Sequence, residues 1–512
     1  MPEQNNFFIT TAIDYVNALP HLGTAYEKIG ADVMARFQRL RGRSVFFLMG
    51  VDEHSVNVEK EAQRRNIPVQ KYCDELAGQF EGVWKALNIS YDFFIRTSSP
   101  QHVRAVQHIF QVIYQKGDIY LGHYEGWYCN SCEAYLRDQE LAEGNCPVHK
   151  KPPEWIREEN YFFALSRYQE GLKRMLETMP GFLQPKIRYN EIANVIKGGL
   201  EDISVSRTGA RWGIPLPFDD KAVVYVWFDA LINYISALGY PDDMKRFSEW
   251  WPARVHVIGK DITRFHCVIW PAMLMSLGVE LPQMVFGHGF VYLKGEKMSK
   301  TTGTLIGPVE AAQKFGPDAL RYFLMREIPF DRDGDFTWDA FKMRYQADLA
   351  NDLGNLIQRV LSMIQRYFTG TLPRMGKLEG VDNDLVEAFK GSFEIYVQSM
   401  ERFAMSEALV EMWSFIQKCN GYVGRTAPWT LAKKPDQRER LSSVLNLLCQ
   451  CIFKIAVLIN PFMPAVSVRI LGQLGVSGAA QNIDYELCEN WNFLRAETKL
   501  GSIEPIFPKV DD

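Results

Sequence analysis

Four groups of side chains have the types and spacings to do chemistry. His21, Gly23 and Thr24 lie in Pro20-His21-Leu22-Gly23-Thr24, at the head of an apolar pattern of helical period. A helix start gathers open N–H groups and the positive end of the helix dipole, which suits phosphate, and glycine lets a ligand approach the backbone. Lys297 and Lys300 stand three apart among small hydroxyl residues, Thr301 included, ahead of Gly303 and Gly307. Such a cationic loop can follow charge as it moves along a triphosphate. Asp52 follows the apolar run 45–50, where a carboxylate at a strand end can hold an amino group. Each has a plain alternative: histidine or aspartate at a helix start often only caps it, and a lysine loop is often only solvated.

The fourth group is Cys129-x2-Cys132-x13-Cys146-x2-His149. Two close pairs of soft ligands across a short span can converge tetrahedrally on zinc. Both pairs share the two-residue gap, and the turn formers Gly144, Asn145 and Pro147 surround the second, which argues against four unrelated residues. No open coordination position is implied, so the metal is expected to be structural.

These groups need elements to position them. Residues 7–11 and 45–50 read as strands, and 22–41, 55–65 and 69–87 as helices, with Gly42 where the first helix would stop. Such alternation implies a parallel sheet with crossover helices, and such sheets bind nucleotides at the C-terminal ends of their strands. An aromatic, turn-rich stretch carrying the Cys/His set then intervenes. Strands are expected again at 222–227, 254–258 and 284–293, and helices at 227–238 and 265–277, completing the sheet and making the intervening stretch an insertion. After Asp339 only helical runs follow, at 340–367, 383–400, 407–423 and 438–460. The expected fold is α/β, a Rossmann-type parallel-sheet domain with an inserted zinc-binding connective segment, then an all-α domain.

At 512 residues the chain is too long for one core, and 47% apolar content suits a packed protein. With 57 basic against 61 acidic residues, no global field draws it to nucleic acid, so any such contact is local. The N-terminus carries no secretory or transit pattern, and Asn446, Gln450 and Lys454 make 444–459 a buried helix rather than a membrane span. Nine mostly isolated cysteines suit a reducing compartment, and the expected location is cytoplasmic.

Taken together, His21-Leu22-Gly23-Thr24 and Lys297-Met298-Ser299-Lys300-Thr301 resemble the paired signatures of class I aminoacyl-tRNA synthetases. Thr11-Ala12-Ile13-Asp14-Tyr15, Tyr225-Val226-Trp227-Phe228-Asp229-Ala230, Gly259-Lys260-Asp261-Ile262, Phe265-His266 and Trp270-Pro271-Ala272-Met273 are similar in order and spacing to the methionyl-tRNA synthetase family, bacterial-type with a single zinc knuckle. These matches run from residue 7 to residue 429.

The resemblance implies ATP-dependent ligation of L-methionine to methionine tRNA, initiator and elongator, through a methionyl-adenylate. By it, methionine lies among Ala12, Ile13, Tyr15, Trp227, Ala230, Tyr234, Ile262, His266 and Trp270, with Asp52 on its ammonium. ATP, as its magnesium complex, is bound by His21, Gly23, Thr24, Gly259, Asp261, Lys297, Lys300 and Thr301, and His21, Gly23, Thr24, Lys297 and Lys300 carry catalysis. Asn355, Arg359 and Trp429 read the anticodon. One structural zinc sits on Cys129, Cys132, Cys146 and His149. The implied domains are 1–117 and 220–297 for the two halves of the Rossmann domain, 118–219 for the connective segment, 298–340 for the lysine loop and stem-contact linker, and 341–512 for the anticodon-binding domain.

Two departures stand out. Thr24 occupies the place of the family's usual second histidine, and Thr301 that of its serine. The chain ends soon after the helical domain, so a monomer without the extra C-terminal module of some relatives is expected. The competing readings are another class I synthetase, such as the cysteine enzyme, and a non-catalytic tRNA-binding paralogue. The Cys/His set lying in the insertion counts against the first, and retained His21, Asp52, Lys297 and Lys300 against the second.

Overall fold

Apolar runs with few polar interruptions become the strands of one sheet in the computed structural model. It describes residues 5–508 apart from 18, 130–133, 137, 148–149, 209–210, 294, 298–305 and 477–483. The chain divides into two units: Met1–Leu19, Val45–Gly82 and Tyr91–His288 make the first, and Pro20–Ser44, Val83–Ser90 and Gly289–Asp512 the second.

In the first unit, β1 (Asn6–Thr11), β2 (Asp14–Tyr15), β3 (Ser44–Asp52), β4 (Phe93–Arg96), β5 (Leu183–Gln184), β6 (Val255–Gly259) and β7 (Val285–His288) form a seven-stranded sheet. Its order is β2-β3-β1-β6-β7-β5, with β4 also paired to β3. The registers Ile9↔Val255, Val257↔Phe286 and Leu48↔Phe93 are all parallel. Strands covered on both faces read as continuous apolar runs, which is why β6 is buried at every residue. Thus β6 and β7 complete a sheet begun before the insertion. The insertion adds β5, an edge strand of two residues that leaves no periodic signal. Its own body is an antiparallel ribbon of Ile119–Cys129 on Glu154–Phe163, flanked by Ala134–Leu136 and Ile203–Ser204.

Several expected elements change, the helix at 227–238 dividing into Val226–Leu231 and Asn233–Ser236. The strand at 222–227 is Asp219–Val224, in a small antiparallel sheet with Ser206–Thr208 and Pro215–Leu216. The Tyr225 N–H closes on Val205 O at 2.9 Å and a helix, Val226–Leu231, begins, with Asp229 in its first turn favouring the dipole. The run 284–293 splits into β7 and Val291–Leu293, which belongs to a different sheet; a Cβ at Gly289 between them would lie 2.1 Å from the Arg332 carbonyl. The helix at 265–277 opens as a π turn, Phe265–Ile269, before Trp270–Leu277. Pro271 has no N–H to close an ordinary turn onto Cys267, and the wider turn avoids the clash.

In the second unit the helix Leu22–Leu40 buries Leu22, Tyr26, Ile29, Val33, Phe37 and Leu40, the expected stripe. Gly42 follows at φ 72°, a left-handed turn that glycine adopts without strain. Asp32 in mid-helix pairs with the fully buried Arg321 at 2.7 Å. Helices Gly380–Glu401, Met405–Thr426 and Arg438–Ile459 match three of the expected runs, whereas the run 340–367 divides into Trp338–Arg344, a π segment Tyr345–Gly354 and Asn355–Phe368. Arg438–Ile459 is buried along 443–459, and its polar residues anchor loops. Asn446 Nδ2 donates to Pro373 O at 2.7 Å, Gln450 Nε2 to Leu494 O at 2.9 Å, and Lys454 Nζ to Asn490 O at 2.9 Å.

Candidate active site

His21 is the N-cap of Leu22–Leu40, and its Nδ1 accepts the Gly23 N–H at 3.0 Å and the Thr24 N–H at 3.3 Å. Two donors expected to be open to phosphate are therefore engaged by the ring. An accepting Nδ1 carries no proton, so the ring proton sits on Nε2, and the helix start offers an imidazole N–H instead. A Cβ on Gly23 would lie 2.9 Å from His21 Cε1, so only glycine lets the ring fold over the first turn. The Leu22 N–H donates to Ile306 O at 3.2 Å, which bonds the helix start to the residue just past the lysine loop. On the other flank, Lys297 pairs with Tyr292 through the backbone strand Glu296–Lys297. Lys300 and Thr301 lie outside the described residues.

The expected methionine residues all belong to the first unit. Asp52 ends β3, opposite Tyr15 of β2, and is only 2% exposed. Its Oδ1 accepts the His54 N–H at 3.3 Å and the Thr97 hydroxyl at 3.5 Å. Trp227 meets Tyr15 edge-on at 5.9 Å and stacks on Phe265 at 4.0 Å. Ala230 lies one turn along the same helix. Behind them, Tyr234 hydrogen-bonds His266 Nε2 at 2.7 Å, while His266 Nδ1 lies 3.0 Å from Ile262 O. A carbonyl only accepts, so Nδ1 is the donor, Nε2 the acceptor, and the tyrosine hydroxyl donates. Trp270 packs on Tyr234 at 5.9 Å; Ala12 donates its N–H to Val257 O at 3.2 Å, and Ile13 packs on the same core. The result is a group of packed aromatic rings with a carboxylate at a strand end. Flat polarizable rings suit a thioether.

Beside these rings, His256 sits between Thr10 Oγ1 at 2.7 Å and the Trp270 indole at 3.4 Å. Burial first, and His266 next, push its pKa well below the ordinary range, so it stays neutral. Gly259 and Asp261 follow at the C-terminal end of β6, where a Cβ on Gly259 would lie 2.7 Å from Asp261 Oδ1.

Two features had no signal of periodicity or spacing. Asp229 Oδ2 takes His54 Nδ1 at 2.6 Å and its Oδ1 takes His102 Nε2 at 2.7 Å, joining residues far apart in sequence. Arg207 lies over the Tyr128 ring at 4.1 Å and reaches Glu158 at 3.2 Å, while its Nε and Nη1 are buried with no acceptor among the described residues.

In the insertion, Cys129 and Cys146 are buried, as are all eight described cysteines, with no disulfide among them. Cys132 and His149 lie outside the described residues, among which no cluster of three metal-binding side chains occurs. In the second unit the Arg359 guanidinium lies 5.9 Å from the Trp429 ring centroid, and Trp429 is 42% exposed. Asn355 is exposed one turn before Arg359 on Asn355–Phe368. Arg344, in the preceding helix, is paired with Glu327 at 2.8 Å.

Residues 7–152 and 139–361 match the model of tRNA synthetases class I (M), and 372–512 match the anticodon binding domain of methionyl tRNA ligase. A methionine–tRNA ligase of Caldanaerobacter subterraneus subsp. tengcongensis is 44% identical over 511 residues, covering 99% of this chain and 79% of that protein. One of Thermotoga maritima is 43% identical over 509 residues, covering 99% and 80%. The solved Mycobacterium tuberculosis methionyl-tRNA synthetase in complex with methionyl-adenylate aligns with a TM-score of 0.94 at 38% identity, over 98% of this chain and 100% of that one. Sequence, family models and fold agree along nearly the whole length, and the chain belongs to the methionyl-tRNA synthetase family.

Proposed function

We infer that this chain joins L-methionine to methionine tRNA at the expense of ATP, through a methionyl-adenylate, serving initiation and elongation. The observation that carries the reading is the buried Asp52 carboxylate at the end of β3, in the same unit as the rings of Tyr15, Trp227, Tyr234 and His266. The Leu22–Ile306 bond supports it by tying the first signature segment to a residue five positions beyond the second.

Asp52 takes the ammonium, and the rings take the side chain. The methionine carboxylate attacks the α-phosphate, the bond to the leaving pyrophosphate breaks, and the tRNA terminal hydroxyl then attacks the adenylate carbonyl, releasing AMP. No side chain becomes a covalent nucleophile; catalysis is positioning and stabilisation of phosphate charge. His21, Thr24, Lys297, Lys300 and Thr301 serve the phosphates, Gly23 lets the His21 ring take its place, and Gly259 and Asp261 serve the ribose. Magnesium accompanies ATP as substrate. The domain limits follow the family pattern given above, and the chain acts as a cytoplasmic monomer. Methionine-dependent ATP–pyrophosphate exchange tests the reading, and no exchange with methionine overturns it.

Asn355, Arg359 and Trp429 read the anticodon, an assignment supported by the Arg359–Trp429 contact and the exposure of the indole. Stacking on an aromatic ring is worth about 1–3 kcal/mol per base, so Trp429→Ala is expected to lower tRNA charging by about 10- to 100-fold. Exchange without tRNA stays near wild type; its collapse would place Trp429 elsewhere in the mechanism.

Cys129, Cys132, Cys146 and His149 hold one zinc. Two buried thiols in the insertion, Cys129 at the end of a strand and Cys146 in a loop, fit that donor set. Elemental analysis is expected to find about one zinc per chain, and binding of that zinc releases the thiol protons. A fully active, metal-free protein would refute the knuckle.

A further inference from the structure

Among the described residues, the buried Asp229 carboxylate bonds only His54 and His102, neither assigned to substrate, yet through them it joins the elements that carry the assigned groups. We propose that Asp229 is a positioning residue for the methionine subsite, locking the end of β3 and the helices Val226–Leu231 and Asn233–Ser236 into one frame through His54 and His102. The inference rests on the reading of Asp52, Trp227, Ala230 and Tyr234 as that subsite.

Both carboxylate oxygens are committed, Oδ2 to His54 Nδ1 at 2.6 Å and Oδ1 to His102 Nε2 at 2.7 Å. Each imidazole side then reaches a second element. The His54 backbone N–H donates to Asp52 Oδ1 at 3.3 Å, and the His54 ring meets Trp212 at 5.5 Å, whose indole N–H donates to Glu53 O. His102 Nδ1 pairs with Ser236 Oγ at 2.8 Å, two residues beyond Tyr234 on the same helix. Asp229 itself lies between Trp227 and Ala230 in sequence, on the inner face of their helix. One carboxylate therefore orders three elements, each bearing a residue of the proposed subsite.

Burial raises the Asp229 pKa, and the two histidines overcome that and hold it at about 2, so the group remains a double acceptor. A buried ionic cluster is poor value as mere cement, because well-packed apolar residues of similar volume stabilise at least as well. What it supplies is direction: each hydrogen bond fixes a ring and its backbone, as outer-shell groups do around other sites.

Asp229→Asn keeps the shape but turns one acceptor into a donor facing an imidazole N–H. His54→Asn places an amide N–H near the position of Nδ1 and keeps the bond to Asp229, whereas His54→Ala removes it. All three are tested in the full chain by steady-state exchange, varying methionine and ATP separately. Asp229→Asn and His54→Ala are expected to raise the KM for methionine by about 10- to 100-fold, the scale of a misplaced binding group, with the KM for ATP at the wild-type value. His54→Asn should restore most of the methionine KM. An unchanged methionine KM in His54→Ala, or equal impairment of His54→Asn and His54→Ala, overturns the proposal even if Asp229→Asn fails to fold. A wild-type chain without methionine-dependent exchange instead overturns the subsite and this inference with it.

Discussion

Asp52→Asn is expected to lower kcat/KM for methionine in ATP–pyrophosphate exchange by roughly 10²- to 10³-fold, most of it in KM. The carboxylate is 2% exposed and already oriented by the His54 N–H and the Thr97 hydroxyl. An ammonium brought against it loses its water, so the pair interacts in a low dielectric. Truncating one partner of such a pair costs about 2–5 kcal/mol, and about 1.4 kcal/mol is tenfold. Asparagine keeps the size and one acceptor, so the loss reports charge. The ammonium does not change during activation, and an interaction equal in ground and transition states appears in KM. A variant with the wild-type methionine KM would remove Asp52 from the ammonium site.

His21→Asn is expected to slow adenylate formation by about 10²- to 10³-fold, the usual loss for one transition-state donor, while melting unchanged. The ring does two jobs that this substitution separates. As cap, its Nδ1 takes the Gly23 and Thr24 N–H groups, and asparagine is as good a cap as any residue. As donor, its Nε2–H reaches beyond the first turn, which an asparagine amide cannot do from the same backbone position. His21→Ala loses both and should also lower stability by about 1 kcal/mol. Pre-steady-state quench measures the first effect and thermal melting the second. If His21→Asn forms adenylate at the wild-type rate, the histidine is only a cap.

The sheet was legible because strands covered on both faces read as mostly apolar runs, as β1, β3 and β6 do. The helical half was legible because stripes such as Leu385, Phe389 and Tyr396 recur at helical spacing. Less could be read where geometry depends on partners far along the chain. Nothing local marks β5, the π turn before Trp270 beyond Pro271, or the split of 284–293. The candidate site divided the same way. Asp52, His21 and the aromatic residues stood out by type and position, whereas Asp229 was only a residue within a motif until His54 and His102 closed on it.

By itself the sequence determined the alternation of strand and helix, the interrupted sheet, the helical second half and the family to which the chain belongs. The first three follow from periodicity, a local property, and the family from the resemblance that its motifs carry. Only the tertiary structure decided that His21 spends its Nδ1 on two backbone N–H groups and so presents Nε2–H. It also decided that His266 accepts from Tyr234 and that one buried aspartate serves two histidines. Each of these is a choice of hydrogen-bond partner, and a partner is selected by distance in space, which a linear spacing does not encode.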